Sequence, residues 1–451
     1  MRAKNYPRYK PSGVDWLGDL PEHWGVNRGR FCMRVNPPSD RLRRLTPDDE
    51  VSFVPMDNVG EYGGLRLDAN KALCDVGSTY TEFQDGDVVV AKITPCFENG
   101  KGALASGLTN GVALGTTELH VLRVGTGLDR RFLFYLTISS VYRKSGEAEM
   151  YGAGGQKRVP PEFNKNFRTP LPPLPEQRAI ASFLDRETGR IDRLVAKKRE
   201  LIEKLKEKRT VLISRTVTRG LNPKAKLKPS GIEWLGDVPE HWDVKPVFRI
   251  TETIQTGPFG SQLHNSDYTD GGIPLINPAH IVSGRLLPDD ISCVDETTVS
   301  RLRRYRLCTG DIVMGRRGEI GRCGVVTPTE TGWLCGTGSL IIRLRDCDPR
   351  YFAMIFSGDG FSGVLELRAV GTTMLNLTPA IVGRMLVPVP PLSEQRAIAD
   401  FLDQETRKID RLSAKVEAAV ERLREYRTAL ITAAVTGKID VRGVDVSFIN
   451  E

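Results

Sequence analysis

Two stretches of the chain carry the same long helical pattern of apolar positions. Over residues 175–218, Leu184, Ile191, Leu194, Leu201, Leu205 and Leu212 recur at three- and four-residue steps, with Lys198 and Lys208 on the same stripe and Glu187 breaking it. The second stretch repeats the stripe with Leu402, Ile409, Leu412, Val416, Leu423 and Leu430, joined by Glu405, Ala419 and Tyr426. Such spacing lines one face of a helix with apolar groups that a second helix can interlock with. Prolines (Pro170, Pro172, Pro173 and Pro175; Pro388, Pro390 and Pro391) hold each approach extended. A glycine, Gly220 or Gly437, stands where each stretch stops. One helix of this kind would suit the core of its own domain, whereas two matching seams favour mutual pairing. Each helix would span roughly 65 Å, but residues 221–227 can reach only about 25 Å. The connection therefore predicts an antiparallel coiled coil with the two regions that precede the helices at opposite ends of a rod and the chain termini close together.

Elsewhere the period shortens. Apolar runs bounded by turn residues predict strands at 87–92, 118–124, 311–314 and 339–345. Gly86-Asp87-Val88-Val89 corresponds to Gly310-Asp311-Ile312-Val313, and Arg131-Phe132-Leu133 to Arg350-Tyr351-Phe352, each ahead of a short helix. The fold class expected is mixed α/β (α+β), with one fold used twice under different loops.

The duplication is explicit at a shift of 218. Residues 10–24 (KPSGVDWLGDLPEHW) return as 228–242 (KPSGIEWLGDVPEHW), and 176–194 (EQRAIASFLDRETGRIDRL) return as 394–412 (EQRAIADFLDQETRKIDRL). Between these markers the halves have diverged, so an equivalent frame carries two different inserts. The division expected is a first mixed domain at 1–174, a helix at 175–220, a second mixed domain at 221–392, a helix at 393–438 and a tail at 439–451. By the internal symmetry, the 10–24 motif should dock near the end of the second helix.

Composition narrows the class. With 451 residues, 40% of them hydrophobic and 27% charged, the chain can bury a core in each half. No run of eighteen apolar residues occurs and the first ten residues lack an apolar stretch, which makes a cytoplasmic protein the expectation. The eight cysteines never form Cys-x-x-Cys and read as buried free thiols. A net charge of +8 permits nucleic-acid binding without establishing it. Its placement says more. Arg41, Arg43, Arg44, Lys92, Lys101, Gln156, Lys157 and Arg158 in the first half, and Gln255, Ser261, Gln262, Arg301, Arg303, Arg304, Arg316, Arg317 and Arg322 in the second, are DNA-binding candidates. Arginine can bond a guanine edge with two donors, glutamine can do the same for adenine, and the remaining cations can neutralise phosphates. Any one of them read alone is ordinary surface charge, and the grouping on related inserts is the signal.

Catalytic patterns are weak. Asn36-Pro37-Pro38-Ser39 lacks the aromatic that would stack a flipped base, and Gly125-Thr126-Gly127, Gly336-Thr337-Gly338 and Gly318-Glu319-Ile320-Gly321 lack the remainder of a dinucleotide fingerprint. Asp243-Val244-Lys245, a nuclease-like triplet, faces Gly25-Val26-Asn27 in the other half and fails to repeat. No catalytic residue, metal site or cofactor site is predicted in this chain.

The segments PLPPLPEQRAIASFLDRETGRIDRL and PVPPLSEQRAIADFLDQETRKIDRL, with PSGVDWLGDLPEHW and its copy, resemble the specificity subunit of type I restriction-modification systems over nearly the whole chain. The resemblance implies two target-recognition domains, each reading half of a bipartite, asymmetric site in double-stranded DNA, and two conserved helices forming an antiparallel coiled coil. It further implies docking of two modification (methyltransferase) subunits that bind S-adenosylmethionine, and of restriction (translocase/nuclease) subunits that use ATP and Mg2+. Under this reading the helices act as a spacer ruler, so one helical turn added to both should change the spacer and leave both half-sites intact. A self-contained DNA methyltransferase or nuclease, and a coiled-coil adaptor without a DNA role, are the alternatives.

Overall fold

Each long helix starts where its proline-held approach ends. The computed structural model describes residues 5–443 apart from 78, 319 and 370–375, and its long helices cover Leu174–Arg219 and Leu392–Val435. The carbonyls of Pro173 and Pro391 accept the first-turn N–H groups of Gln177 and Gln395, each at 3.0 Å. At the far ends Gly220 (φ +73°) and Gly437 (φ +71°) turn left-handed, a conformation that costs glycine least and stops a helix.

The chain divides into two units, residues 1–199 with 418–451 and residues 200–417. Both boundaries fall inside the long helices, so each unit contains part of both rather than the helices forming separate bodies.

In unit one, strand Leu119–Val124 lies antiparallel between Met33–Val35 and Val88–Ala91, and Gly102–Leu104 flanks Val88–Ala91. A second sheet runs in the order Asn70–Ala72, Glu50–Val54, Val112–Gly115, Thr81–Gln84, with its middle pair parallel. The first sheet buries Val88, Val90 and Leu122 against Phe132, Leu133 and Leu136 of helix Arg130–Thr137, and the same core takes in Ile180, Leu184, Ile431 and Ala434 of the long helices.

Unit two repeats the plan. Ser339–Leu344 lies antiparallel between Thr251–Thr256 and Ile312–Gly315, with Cys323–Val325 flanking the latter. Ile312, Met314, Leu340 and Ile342 pack with Phe352 and Phe356 of helix Pro349–Phe356 and with Val217, Ile398 and Leu402. The expected strands and short helices are therefore present in the same order twice, and the fold is mixed α/β as read from the sequence.

Within each unit the helical segments run antiparallel. In unit one Arg442, just past the second helix, lies 3.8 Å from Glu176, while Arg427 pairs with Asp192 at 3.0 Å, so one residue number rises as the other falls. In unit two Gly220 abuts Glu394, and Arg209 lies 3.3 Å from Asp410. The 10–24 motif meets the end of the second helix, since Lys438 Nζ donates to the carbonyls of Leu17 (3.0 Å) and Asp19 (2.6 Å). Arg442 also lies 4.9 Å over the Tyr6 ring, which brings the described chain ends together. Residues 444–451 of the expected tail lie outside the described residues.

The seam differs from the sequence pattern at several positions, exposed Lys208 among them. Leu194, Leu201 and Leu412 are 42%, 41% and 45% exposed, and Tyr426 on the same stripe is exposed too. The inward stripe is Leu184, Thr188, Ile191, Val195, Lys198, Ile202, Leu205, Arg209, Leu212 on the first helix and Leu402, Thr406, Ile409, Ser413, Val416, Val420, Leu423, Arg427, Leu430 on the second. Both alternate steps of four and three. Apolar neighbours such as Leu194 with Val195, or Leu201 with Ile202, satisfy either heptad reading, and only the packed surroundings select between them.

Candidate nucleic-acid interface

The loops that carry the candidate residues hang from a frame built twice from the same side chains. Gly86 (φ +94°) and Gly310 (φ +89°) turn the chain into the central strands. The following aspartates are buried and bidentate to an arginine on the neighbouring strand. Asp87 accepts from Arg123 Nε and Nη2, both at 2.7 Å, and Asp311 accepts from Arg343 Nε (2.7 Å) and Nη2 (2.8 Å). The hydrogen bonds to Asp87 and Asp311 raise both guanidinium pKa values above the ordinary arginine value.

The other repeated markers touch each other. Glu176 is buried and accepts from Tyr6 Oη (2.8 Å) and Trp24 Nε1 (3.1 Å), with His23 Nε2 at 2.7 Å. Burial, and then the Glu176 hydrogen bond, drive the Tyr6 phenol far above its ordinary value. Glu394 takes Trp242 Nε1 (3.1 Å) and His241 Nε2 (2.9 Å) in unit two. The adjacent glutamines cap the short helices: Gln177 accepts the Asp129 N–H at 2.7 Å and Gln395 the Asp348 N–H at 2.9 Å. The histidine and tryptophan of PEHW thus meet the glutamate of EQR in both halves.

In unit one the structure gathers Lys92, Gln156, Lys157 and Arg158. The Lys157 carbonyl accepts from Thr94 N–H at 3.0 Å, and Arg158 bridges Ile93. Arg158 is already engaged, holding both oxygens of Glu118 at 2.9–3.2 Å. The Arg158 hydrogen bond keeps the Glu118 carboxyl below the usual range. Gln156 and Lys157 are exposed and Lys92 is half-buried. Arg41 sits elsewhere, beside Asp85 (3.9 Å) and Gly111, with Arg43 and Arg44 exposed on the turn Leu42–Arg44. Lys101 fixes a loop by donating to Met56 O at 3.1 Å. His120, missed by sequence reading, is buried under this group with Nε2 2.8 Å from Val159 O.

Burial holds His120 below the ordinary histidine value of about 6.5. The unfolded chain then binds the proton more readily, so this group's contribution to stability is complete above about pH 6.5 and is lost as pH falls through the folded value. Urea unfolding at pH 7 and pH 5 should show a smaller loss for His120→Gln than for the parent. Equal losses would remove His120 as a source of the acid sensitivity.

Unit two draws most of its candidates around the segment 257–263. Gln262 Oε1 accepts from Tyr305 Oη (2.6 Å) and Phe259 N–H (3.3 Å), Arg301 donates to Gln262 O and pairs with Asp267 at 2.9 Å, and Gln255 Nε2 donates to Arg304 O at 3.3 Å. Ser261, Arg303, Arg304 and Arg317 are exposed, and Arg304 lies over the Tyr305 ring. Arg316 is buried, at 4% exposure, with Nε donating to Thr337 O at 3.0 Å. Desolvation lowers its pKa from the ordinary value, and the neighbouring Arg317 charge adds to that. Arg322 is half-buried, and its carbonyl accepts the Gly315 N–H at 2.9 Å. Arg158 and Arg301 are ion-paired, with Glu118 and Asp267 respectively.

The weak motifs have structural uses. Asn36 (φ +52°) accepts the Val121 N–H at 2.9 Å, and Ser39 is buried against Gln84. Asp243 pairs with Lys245 at 2.7 Å on a strand joined to Leu386–Val389. Glu319 lies outside the described residues. Cys32, Cys293, Cys323 and Cys335 are buried thiols, but Cys74 and Cys308 are exposed, contrary to expectation. Among the described residues no helix is long and apolar enough to cross a membrane.

Residues 239–422 match the family model described as the type I restriction modification DNA specificity domain. Curated type I restriction-modification specificity subunits are among the proteins that the chain is similar to. It is 42% identical over 165 residues to the EcoAI specificity subunit of Escherichia coli, covering 36% of this chain and 27% of that one. The chain thus spans about a quarter of the length of that curated relative. With the MjaVIII specificity subunit of Methanocaldococcus jannaschii it shares 24% identity over 339 residues, 74% of this chain and 75% of the relative. The fold is shared with a chain solved in a study of type I R-M complex assembly and conformational transition, at a TM-score of 0.73 and 19% identity over 92% of this chain and 98% of that one. The matched stretch contains the sheet of unit two that repeats the plan of unit one.

Proposed function

We propose that the chain is the DNA-specificity subunit of a type I restriction-modification complex. The observation that carries this reading is the duplicated sheet, with the same strand order and the same aspartate–arginine and glutamate–tryptophan supports, bearing unlike polar and basic loops in its two copies. A frame built twice with different loops suits a reader of two unlike half-sites. The chain supplies sequence recognition and no catalysis. Methyltransferase subunits bring S-adenosylmethionine and restriction subunits bring ATP and Mg2+, and the long helices recruit them and set the spacing between half-sites.

The test is methylation mapping by single-molecule sequencing in a methylation-free bacterial host that expresses this chain with its modification subunit, and each alone. A bipartite N6-methyladenine motif is expected only when both are present. No motif from an intact complex would defeat the reading, and a motif from this chain alone would make it an enzyme. Exchange of residues 25–169 for another recognition domain should change one half-site and leave the other, whereas a change in both would show that the two readers are not independent.

A further inference from the structure

One position outside the repeated markers is built alike in both units and carries a cation in each. Lys92 is the first residue after strand Val88–Ala91, and Arg316 the first after Ile312–Gly315. The Lys92 N–H donates to Glu118 O at 2.9 Å and its carbonyl accepts from Val159 N–H at 2.8 Å. The Arg316 N–H donates to Gly338 O at 2.9 Å and its carbonyl accepts from Leu377 N–H at 3.0 Å. Glu118 and Gly338 each immediately precede the strand that pairs with the cation's own. The backbone is thus locked on both sides by equivalent partners, although the surrounding loops have diverged.

Arg316 is also prepared as a side chain. Its Nε is held by Thr337 O, and the ring of Phe259, itself 53% exposed, lies 5.9 Å from the guanidinium. Phe259 is in turn tied through Gln262 to Tyr305. Among the described residues no carboxylate forms an ion pair with Arg316, whereas Arg158, Arg301 and Arg343 all have one. A fork already desolvated, immobilised and uncompensated loses little more freedom or hydration on meeting an acceptor pair, which favours a base edge over a mobile phosphate contact.

Resting on the function proposed above, we propose that Lys92 and Arg316 are equivalent specificity-determining residues, each contacting the major-groove acceptor edge (O6 and N7) of a guanine in its own half-site. Arginine can bond that edge with two donors, and lysine can reach it with one charged group.

The experiment uses the complex of this chain with its modification subunit and a duplex carrying the motif found by methylation mapping. Each guanine of the motif is replaced in turn by 7-deazaguanine, which lacks the N7 acceptor. The parent complex should lose about tenfold in affinity at one guanine of the second unit's half-site. Arg316→Ala should bind the normal duplex more weakly, no longer sense that one replacement, and relax the methylation motif there alone. Arg316→Lys should restore part of the discrimination, and Lys92→Ala should act in the same way on the other half-site. Thermal melting of each variant comes first, and Lys92→Ala carries the test if Arg316→Ala does not fold. Uniform weakening over all sequences, with the salt dependence reduced by about one phosphate contact, would overturn the assignment, as would an unchanged motif or a half-site without guanine. A parent complex that yields no motif would instead defeat the proposed function itself.

Discussion

Glu176→Ala should destabilise unit one by about 3–5 kcal/mol, because it strips a buried carboxylate from partners that remain buried. The Tyr6 hydroxyl and the Trp24 indole N–H both point at Glu176, and Trp24 is fully buried. Both donors would then be left without this acceptor in buried surroundings. The change also removes what joins the 10–24 motif to the start of the first long helix. Glu394→Ala is the internal control. Its carboxylate is 27% exposed and has no tyrosine partner among the described residues, so water can replace part of what is lost and the effect should be smaller. Denaturant unfolding monitored by tryptophan fluorescence and limited proteolysis would resolve the two. Equal losses from both substitutions would show that burial does not decide the strength of these contacts.

Arg123→Ala should cost unit one about 3–5 kcal/mol by leaving Asp87 buried and uncompensated. The Arg123 and Asp87 side chains are 10% and 2% exposed, and the bidentate pair joins the strands that carry the Lys92 loop. The double change Asp87→Asn with Arg123→Met removes the charge together with its counter-charge and should recover a substantial part of the loss. Failure of the double variant to recover anything would mean that the hydrogen bonds from Asp87 to the turn, such as that from Gln84 N–H at 2.9 Å, matter more than the charge balance. Arg343→Ala should be milder, since that guanidinium is 35% exposed and water can reach its pair with Asp311.

Much of this frame was legible in the residues. The helices followed from apolar steps and their proline and glycine limits, and the strands from short apolar runs after Gly86 and Gly310. The equivalence of Lys92 and Arg316 was latent as well. The correspondence of Gly86-Asp87 with Gly310-Asp311, carried six residues further, pairs them at once. Identical segments pointed to shared structure, but not to their contact with one another, since the bond from Trp24 to Glu176 spans 152 residues.

The sequence by itself determined the duplication, the element types and their order, because these rest on local periodicity, turn chemistry and identity between copies. Only the tertiary structure decided which of two adjacent apolar residues faces inward, Val195 rather than Leu194, because both satisfy a helical repeat and the packed surroundings choose. It alone also sorted the cations. Arg158 is taken by Glu118 and Arg301 by Asp267, while Arg316 is buried with no carboxylate ion pair among the described residues. Charge is a property of the residue, but its availability depends on distant residues that only the folded chain brings within a few ångströms.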